Sequence, residues 1–258
     1  MNRDVVRQVA VVLALIATLV VNALSNALPL NGLTAGQISD RFKVFFVPAG
    51  YVFSIWSLIY LGLIAFAVYQ ALPAQRANPR LRRIGYLFVL TCLANMSWLF
   101  LWHYEQFPLT LIAMFSLLAL LIALYLRLGI GRHAVPAAER WTVRLPFNLY
   151  LGWISVATIA NVTTVLDYLK WDGGGIPPQV WAVIMLAVGL VLALAMALTR
   201  ADVAYVLVLI WAYVGISVKQ SGAPLVANAA LVAAGLLVLV AVLAFMRGRR
   251  VALQPAPA

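Results

Sequence analysis

Asparagines and large aromatic residues recur inside long apolar stretches of this chain of 258 residues. In chain order they are Asn22 and Asn26, Trp56 and Tyr60, Asn95 and Trp98, and Trp153 and Asn161. A side-chain amide surrounded by hydrocarbon must find a hydrogen-bond partner, so we expect these asparagines to face neighbouring helices. Indole rings add broad, flat apolar surfaces. Apolar walls with a few fixed polar groups are typical of a small-molecule pocket, which this set predicts.

The same residues have a purely structural interpretation, as contacts between helices and as aromatic residues at the membrane surface. Four tryptophans lie close to the predicted ends of membrane spans and fit that interpretation: Trp102, Trp141, Trp171 and Trp181. For Trp56, Trp98 and Trp153 the structural and the ligand-binding interpretations both stay open.

The sequence contains few residues that could support a disulfide, a metal site, hydrolysis or ion-coupled transport. The single cysteine, Cys92, excludes a disulfide within the chain and a site built from several thiolates. The two histidines, His103 and His133, lie near the ends of apolar stretches, and the sequence contains no Ser/His/Asp set. No acidic residue lies near the middle of an apolar stretch, which argues against ion-coupled transport through a buried carboxylate. We therefore expect no metal site and no required cofactor.

The composition is that of a membrane protein. Hydrophobic residues make up 65% of the chain, charged residues 10%, and the mean hydropathy is +1.01. Soluble domains carry about 25% charged residues. The net charge of +11 comes from short basic clusters between apolar stretches. We therefore expect the lipid bilayer, and not nucleic acid, to be the partner of these basic residues.

Eight apolar stretches predict an all-α fold, a polytopic transmembrane helix bundle. A bilayer core of about 30 Å requires roughly 20 apolar helical residues. The stretches that qualify are about 5–28, 51–72, 84–104, 108–128, 145–168, 178–199, 202–219 and 223–246. Proline or glycine marks several of the gaps, among them Pro146 before the fifth stretch. Only a short connection separates the sixth stretch from the seventh. The main alternative to eight spans is therefore that these two stretches merge into one hairpin.

Basic residues test this count independently. With the N-terminus in the cytoplasm and eight crossings, 14 of the 18 Lys and Arg residues fall on the cytoplasmic side. The four on the outer side are Arg41, Lys43, Lys170 and Lys219. This asymmetry predicts that both termini are cytoplasmic. The first stretch is long for the apolar region of a signal peptide, so we expect it to be retained as a span.

The first connection, about residues 29–50, is long and mixes glycine with aromatic residues. Long connections in compact proteins are often functional. We expect this one to lie back on the bundle and to cover the predicted pocket. The alternative is a segment that re-enters the membrane interface.

Three blocks of sequence carry a family resemblance. Residues 48–60 read Pro-Ala-Gly-Tyr-Val-Phe-Ser-Ile-Trp-Ser-Leu-Ile-Tyr, and residues 94–101 read Ala-Asn-Met-Ser-Trp-Leu-Phe-Leu. Residues 150–161 read Tyr-Leu-Gly-Trp-Ile-Ser-Val-Ala-Thr-Ile-Ala-Asn. In this order they resemble the second-, third- and fifth-helix signatures of the tryptophan-rich sensory protein (TspO/MBR) family, also called the translocator protein family. Tyr51 and Met96 stand where the family has tryptophan.

The resemblance covers residues 1–170, which would form the family's five-helix bundle. Residues 171–258 would then add three transmembrane helices and a cytoplasmic tail. The family implies a multi-pass protein of the bacterial plasma membrane, often a homodimer. It would act as a sensor, regulator or carrier that binds a porphyrin, another tetrapyrrole or a sterol-like lipid.

The resemblance also implies which residues form the pocket. The ligand-binding residues would be Trp56, Tyr60, Asn95, Trp98, Trp153, Ala157 and Asn161. Some bacterial members degrade protoporphyrin with pocket tryptophans, which correspond here to Trp56 and Trp153. Enzymatic turnover therefore stays open, although we expect binding alone.

Two other classes of function stay open. A transporter of small hydrophobic solutes would need two access states, and the sequence shows no inverted repeat. A structural subunit of a membrane complex would need only packing surfaces, and small residues form ridges that could supply them. The ridges are Gly189, Ala193 and Ala197 in the sixth stretch, and Ala229/Ala233 and Ala230/Ala234 in the eighth. They could equally pack the additional helices against the first five.

Overall fold

The structure, a computed structural model, describes residues 3–28 and 30–252, with side chains up to residue 248. Pro29 and the predicted tail from residue 253 lie outside this range, as do the side chains of Arg249 and Arg250. Within the described ranges every regular element is helical, so the all-α fold class is confirmed.

Helices account for all the predicted spans. In chain order they are α1 (Arg3–Ala27), α2 (Ala35–Ser39), α3 (Ile55–Ala71), α4 (Pro79–His103), α5 (Phe107–Arg127), α6 (Ala137–Glu139), α7 (Leu145–Tyr168), α8 (Pro178–Arg200), α9 (Val203–Lys219) and α10 (Pro224–Ala252). Seven helical stretches of the described chain are long and apolar enough to cross a membrane. The seventh predicted span corresponds to α9, which has 17 residues and is therefore about 25 Å long.

The fifth span begins earlier than predicted. α6, a π turn over Arg140–Arg144, and α7 form one continuous helix, Ala137–Tyr168. Pro146, which we expected to mark a gap, lies inside this helix. Proline lacks the N–H that would bond to the carbonyl four residues earlier, and the wider turn before it shifts the hydrogen-bond register. The helix therefore continues through the proline, so Pro146 does not mark the gap, which lies earlier, at residues 128–136.

The sixth and seventh spans are separate helices. Between them Ala201 adopts a left-handed conformation (φ 52°), and Asp202 caps α9 by accepting a hydrogen bond from the Tyr205 backbone N–H at 3.1 Å. The Asp202 side chain is 3% exposed. It also accepts hydrogen bonds from the Tyr125 hydroxyl at 2.9 Å and the Asn148 amide at 3.0 Å. The carboxylate thus ties the α8–α9 turn to α5 and α7.

Five helices form a closed ring in the order α1, α4, α5, α7 and α3, with α3 packing back on α1. The short helix α9 lies outside the ring against α7, and α8 and α10 pack against α9. Gly152 on α7 permits this approach, because an added Cβ would lie 3.2 Å from the Tyr205 carbonyl oxygen. The small-residue ridge of α8 is buried, and a Cβ on its Gly189 would lie 2.0 Å from the Tyr213 hydroxyl of α9. The ridge on α8 therefore packs the additional helices against one another.

One half of the five-helix ring is filled by side chains. Phe66, Phe88 and Phe147 are buried there and pack edge to face, with ring centroids 5.0 to 5.9 Å apart. Gln8 and Gln70 close the same half between α1 and α3. The Gln8 amide donates to the Gln70 carbonyl at 2.6 Å, and the Gln70 amide donates to the Gln8 carbonyl at 3.1 Å. Packed side chains therefore occupy the interior of this half between α3, α4 and α7.

Residues 30–54, which we call the cover segment, lie across the other end of the five-helix ring. The segment contains α2 between two 3-10 turns. Thr34 and Gln37 form a capping box that starts α2, since each side chain accepts a hydrogen bond from the backbone N–H of the other residue. Ile38 of α2 is buried with Trp102 and Phe107. The first half of the cover segment is therefore anchored on α4 and α5.

Candidate functional site

A cavity of about 730 Å³ lies inside the five-helix ring, beneath the cover segment. All five helices of the ring contribute to its wall. All seven residues predicted to bind a ligand line it: Trp56, Tyr60, Asn95, Trp98, Trp153, Ala157 and Asn161. The structure therefore brings the whole predicted set together, and the binding role of these residues stays a prediction.

Four aromatic side chains form one wall of the cavity. Trp56 and Tyr60 are one helical turn apart on α3 and stack, with ring centroids 5.2 Å apart and planes inclined by 21°. Trp153 on α7 meets Trp56 edge to face at 6.3 Å, and Phe53 of the cover segment meets Trp153 at 5.7 Å. The wall thus presents flat apolar faces from α3, α7 and the cover segment.

A second aromatic wall comes from α4. Trp98 and Trp102 are one turn apart and stack at 5.3 Å with planes inclined by 18°. Trp102 is only 4% exposed, and its Nε1 donates to the Ala35 carbonyl of α2 at 3.1 Å. We gave Trp102 a structural interpretation because it lies near the end of a span; it does lie at the end of α4, where the cover segment folds over it, and it also lines the cavity. Its spacing of four residues from Trp98 puts both rings on the same face of α4.

Amide side chains link the helices at the base of the cavity. Asn22 on α1 donates to the Asn95 side-chain oxygen at 3.0 Å, and the Asn95 amide lies 3.1 Å from the Tyr150 hydroxyl on α7. The chain of hydrogen bonds therefore joins α1, α4 and α7. It follows the expectation that amides in an apolar interior pair with one another.

A second set of hydrogen bonds fixes the Trp98 wall. The Trp98 indole N–H donates to the Asn161 side-chain oxygen at 3.0 Å, and the Asn161 amide donates to the Thr110 hydroxyl at 2.9 Å. Asn161 is buried, so this pairing satisfies polar atoms that water does not reach. The indole plane is thereby held in one orientation toward the cavity.

The cavity reaches the surface of the protein between the end of α1 and the start of α3. Ala23 and Asn26 from α1, and Phe53 and Ser57 on the other side, line the cavity and are also exposed. The Asn26 amide donates to the Asn22 carbonyl of its own helix at 2.9 Å. We expected Asn26 to face another helix, and it instead lies at this opening with its amide donor satisfied locally.

Comparison with known proteins identifies the family. A family model described as TSPO-like protein matches residues 8–243. The chain belongs to the TSPO-like protein family. The match confirms the TspO/MBR resemblance, and it continues past residue 170 through α8 and α9 and into α10. Searches of curated proteins and of solved structures returned no significant match.

In this TSPO-like protein the cavity wall includes a buried tyrosine hydroxyl, that of Tyr60. The Tyr60 hydroxyl is buried and makes no hydrogen bond within the described residues. Most buried polar atoms in proteins are hydrogen-bonded, so this hydroxyl is free to bond to a molecule in the cavity. Among the described residues no group of three His, Cys, Asp or Glu side chains could hold a metal ion.

Proposed function

We propose that this TSPO-like integral membrane protein binds a flat hydrophobic small molecule in the cavity beneath the cover segment, as a sensor, regulator or carrier. The observation that carries the proposal is the pair of stacked aromatic walls, Trp56 with Tyr60 and Trp98 with Trp102, around one cavity. Its volume of about 730 Å³ lies in the range of small-molecule sites, about 300–1,000 Å³. A porphyrin, another tetrapyrrole or a sterol-like lipid has the chemistry that suits these walls.

The polar groups of the site favour a ligand whose buried part is mainly apolar. Asn95 and Asn161 use their amides in bonds to other side chains. The Tyr60 hydroxyl is a buried polar atom of the cavity wall with no partner among the described residues. Apolar faces and this hydroxyl suit a mainly apolar molecule that places one of its polar groups near Tyr60.

The filled half of the five-helix ring favours binding over passage through the protein. Phe66, Phe88 and Phe147 pack against one another in that half. A transporter would have to repack these rings to open the cavity to the other side of the membrane. Titration of the purified protein with protoporphyrin IX, followed by quenching of tryptophan emission, tests the proposal. We expect saturation at one porphyrin per chain.

We further propose that both termini face the cytoplasm, in a plasma membrane. Basic side chains cluster at the end of the bundle away from the cover segment. There Arg80 forms two hydrogen bonds with Glu139, at 2.6 and 2.7 Å, and Arg82 pairs with Asp4. An excess of arginine at one end is typical of the cytoplasmic side.

Reporter fusions test this orientation. A reporter inserted within 76–83 or after Gln254 should be active in the cytoplasm, because these positions lie at the arginine-rich end in the predicted topology. A reporter within 172–176 should be active outside. An outside signal from the C-terminal fusion, with the 76–83 fusion inside, would contradict both the orientation and the eight-span topology.

A further inference from the structure

The second half of the cover segment, residues 44–54, lies on α9, outside the five-helix ring. The Ala49 backbone N–H donates to the Gly215 carbonyl at 3.0 Å, and the Trp211 indole N–H donates to the Val52 carbonyl at 3.0 Å. The Trp211 ring also packs edge to face on Tyr51, with centroids 5.4 Å apart. Hydrogen bonds and an aromatic contact thus hold this half of the segment to α9.

The contact between them is close because α9 carries a glycine, Gly215, four residues before its end. A Cβ added to Gly215 would lie 2.1 Å from Val52 Cγ2 and 3.2 Å from Pro48 Cβ. Such distances leave no space for a side chain at position 215, so the cover segment rests on the backbone of α9. Beside this point Phe46 and Tyr213 are both buried and pack edge to face at 6.3 Å.

Polar contacts also attach the cover segment to the C-terminal end of α9. Lys219 pairs with Asp40 at 2.8 Å, and the Gln220 amide donates to the Val44 carbonyl at 3.3 Å. One residue after Asp40, the chain is instead tied to the five-helix ring, since Arg41 pairs with Glu105 at 2.9 Å. The first half of the cover segment is therefore held by the ring and by one ion pair to α9 at Asp40, whereas the contacts of residues 44–52 with α9 hold the second half.

Residues 44–54 contact α9 and also contribute to the lining of the cavity. Val47, Pro48, Gly50 and Phe53 line it, while Trp211, Gly215 and Lys219 of α9 do not. Phe53 also joins this half of the segment to α7, because its ring packs edge to face on Trp153. Any shift of this half of the segment away from α9 would move a wall of the cavity.

We propose that α9 positions the cavity wall and that its hold on residues 44–54 limits how fast a ligand enters and leaves. The inference rests on the proposed function and adds a role for the helices beyond residue 170. Trp211, Gly215 and Lys219 are positioning residues, which act through the cover segment. α8 and α10 keep α9 in place.

A reversible cross-link between α9 and the cover segment tests this role. In a Val52→Cys, Gly215→Cys variant the Cβ atoms would be 3.4 Å apart, close to the separation of about 3.8 Å usual across a disulfide. Oxidation would fasten the two elements together. Reduction would leave two unbonded sulfur atoms that need more space than the native contact offers. The native Cys92 is 3% exposed and takes no part.

We expect protoporphyrin IX to dissociate about tenfold faster from the reduced variant than from the oxidised one, a difference of about 1.4 kcal/mol in barrier. Stopped-flow recovery of tryptophan emission measures the rate. The two single-cysteine variants are matched controls, and oxidation should leave their rates unchanged. A second readout needs no ligand: acrylamide should quench tryptophan emission more strongly in the reduced form, because the aromatic walls become more accessible.

The outcomes separate this inference from the proposed function. A disulfide that forms without changing porphyrin release or acrylamide quenching would overturn the positioning role of α9. Failure of the disulfide to form under oxidant would overturn it as well, since the contact would be absent. If the wild-type protein binds no porphyrin, the proposed function fails, and the acrylamide readout alone decides whether α9 holds the wall.

Discussion

Replacing Trp153 by alanine is expected to weaken protoporphyrin IX binding about tenfold or more, whereas Trp153→Phe weakens it only modestly. Trp153 is 2% exposed and contacts both Trp56 and Phe53 at the cavity wall. Stacking of a planar group on an aromatic side chain contributes about 1–3 kcal/mol by alanine substitution in nucleic-acid complexes. A loss of about 1.4 kcal/mol is a tenfold loss of affinity. Phenylalanine keeps a flat ring at the site and so retains part of this energy.

Tryptophan quenching by porphyrin measures both affinities, and Trp141→Ala is the matched control. Trp141 is 62% exposed and lies in the π turn, away from the cavity lining. Its loss removes one indole without changing the cavity, so the affinity should stay at the wild-type value. If Trp153→Ala keeps both its thermal unfolding profile and wild-type affinity, the structural-subunit interpretation would replace the binding one.

A tryptophan in place of Ala157 is expected to lower the affinity at least about 100-fold, equivalent to about 2.8 kcal/mol. Ala157 lines the cavity one helical turn beyond Trp153, so a large side chain there would project into the same space. The substitution adds volume where the structure has a void and removes no contact of the wild-type protein. We therefore expect the fold to survive while the site is blocked.

Ala195→Trp provides the matched control for the blocked cavity. Ala195 is exposed on α8, outside the five-helix ring, so the same change there should leave the affinity unaltered. Equilibrium titration in lipid nanodiscs compares the two variants under identical conditions. Undiminished binding by a folded Ala157→Trp protein would place the ligand somewhere other than this cavity.

Local sequence signals were sufficient for the helices and for the core of the site. Spans of a membrane protein are long apolar stretches, and charged or proline-containing gaps separate them. Amides in such stretches must pair inward, which is why Asn95 and Asn161 could be assigned to the interior before any geometry was known. Trp98 and Trp153 were assigned to the pocket by the family resemblance of the blocks that contain them.

Features that depend on distant contacts could not be found in this way. Trp102 sits at the end of α4, where interfacial aromatic residues are common, and only the folding of α2 over it makes it buried. The contacts of α9 with the cover segment join residues far apart in the chain, such as Trp211 with Val52, 159 positions away. Neither Trp211 nor Val52 lies in a local sequence pattern that predicts its contact with the other.

An absorption titration of the purified protein with protoporphyrin IX in lipid nanodiscs shows whether the cavity beneath the cover segment binds a ligand. The wild-type protein should shift the main porphyrin absorption band and quench its own tryptophan emission, with both signals saturating at one porphyrin per chain. The same titration of Ala157→Trp should show neither change. A wild-type response that fails to saturate, or that Ala157→Trp reproduces in full, would contradict a binding site in the cavity beneath the cover segment.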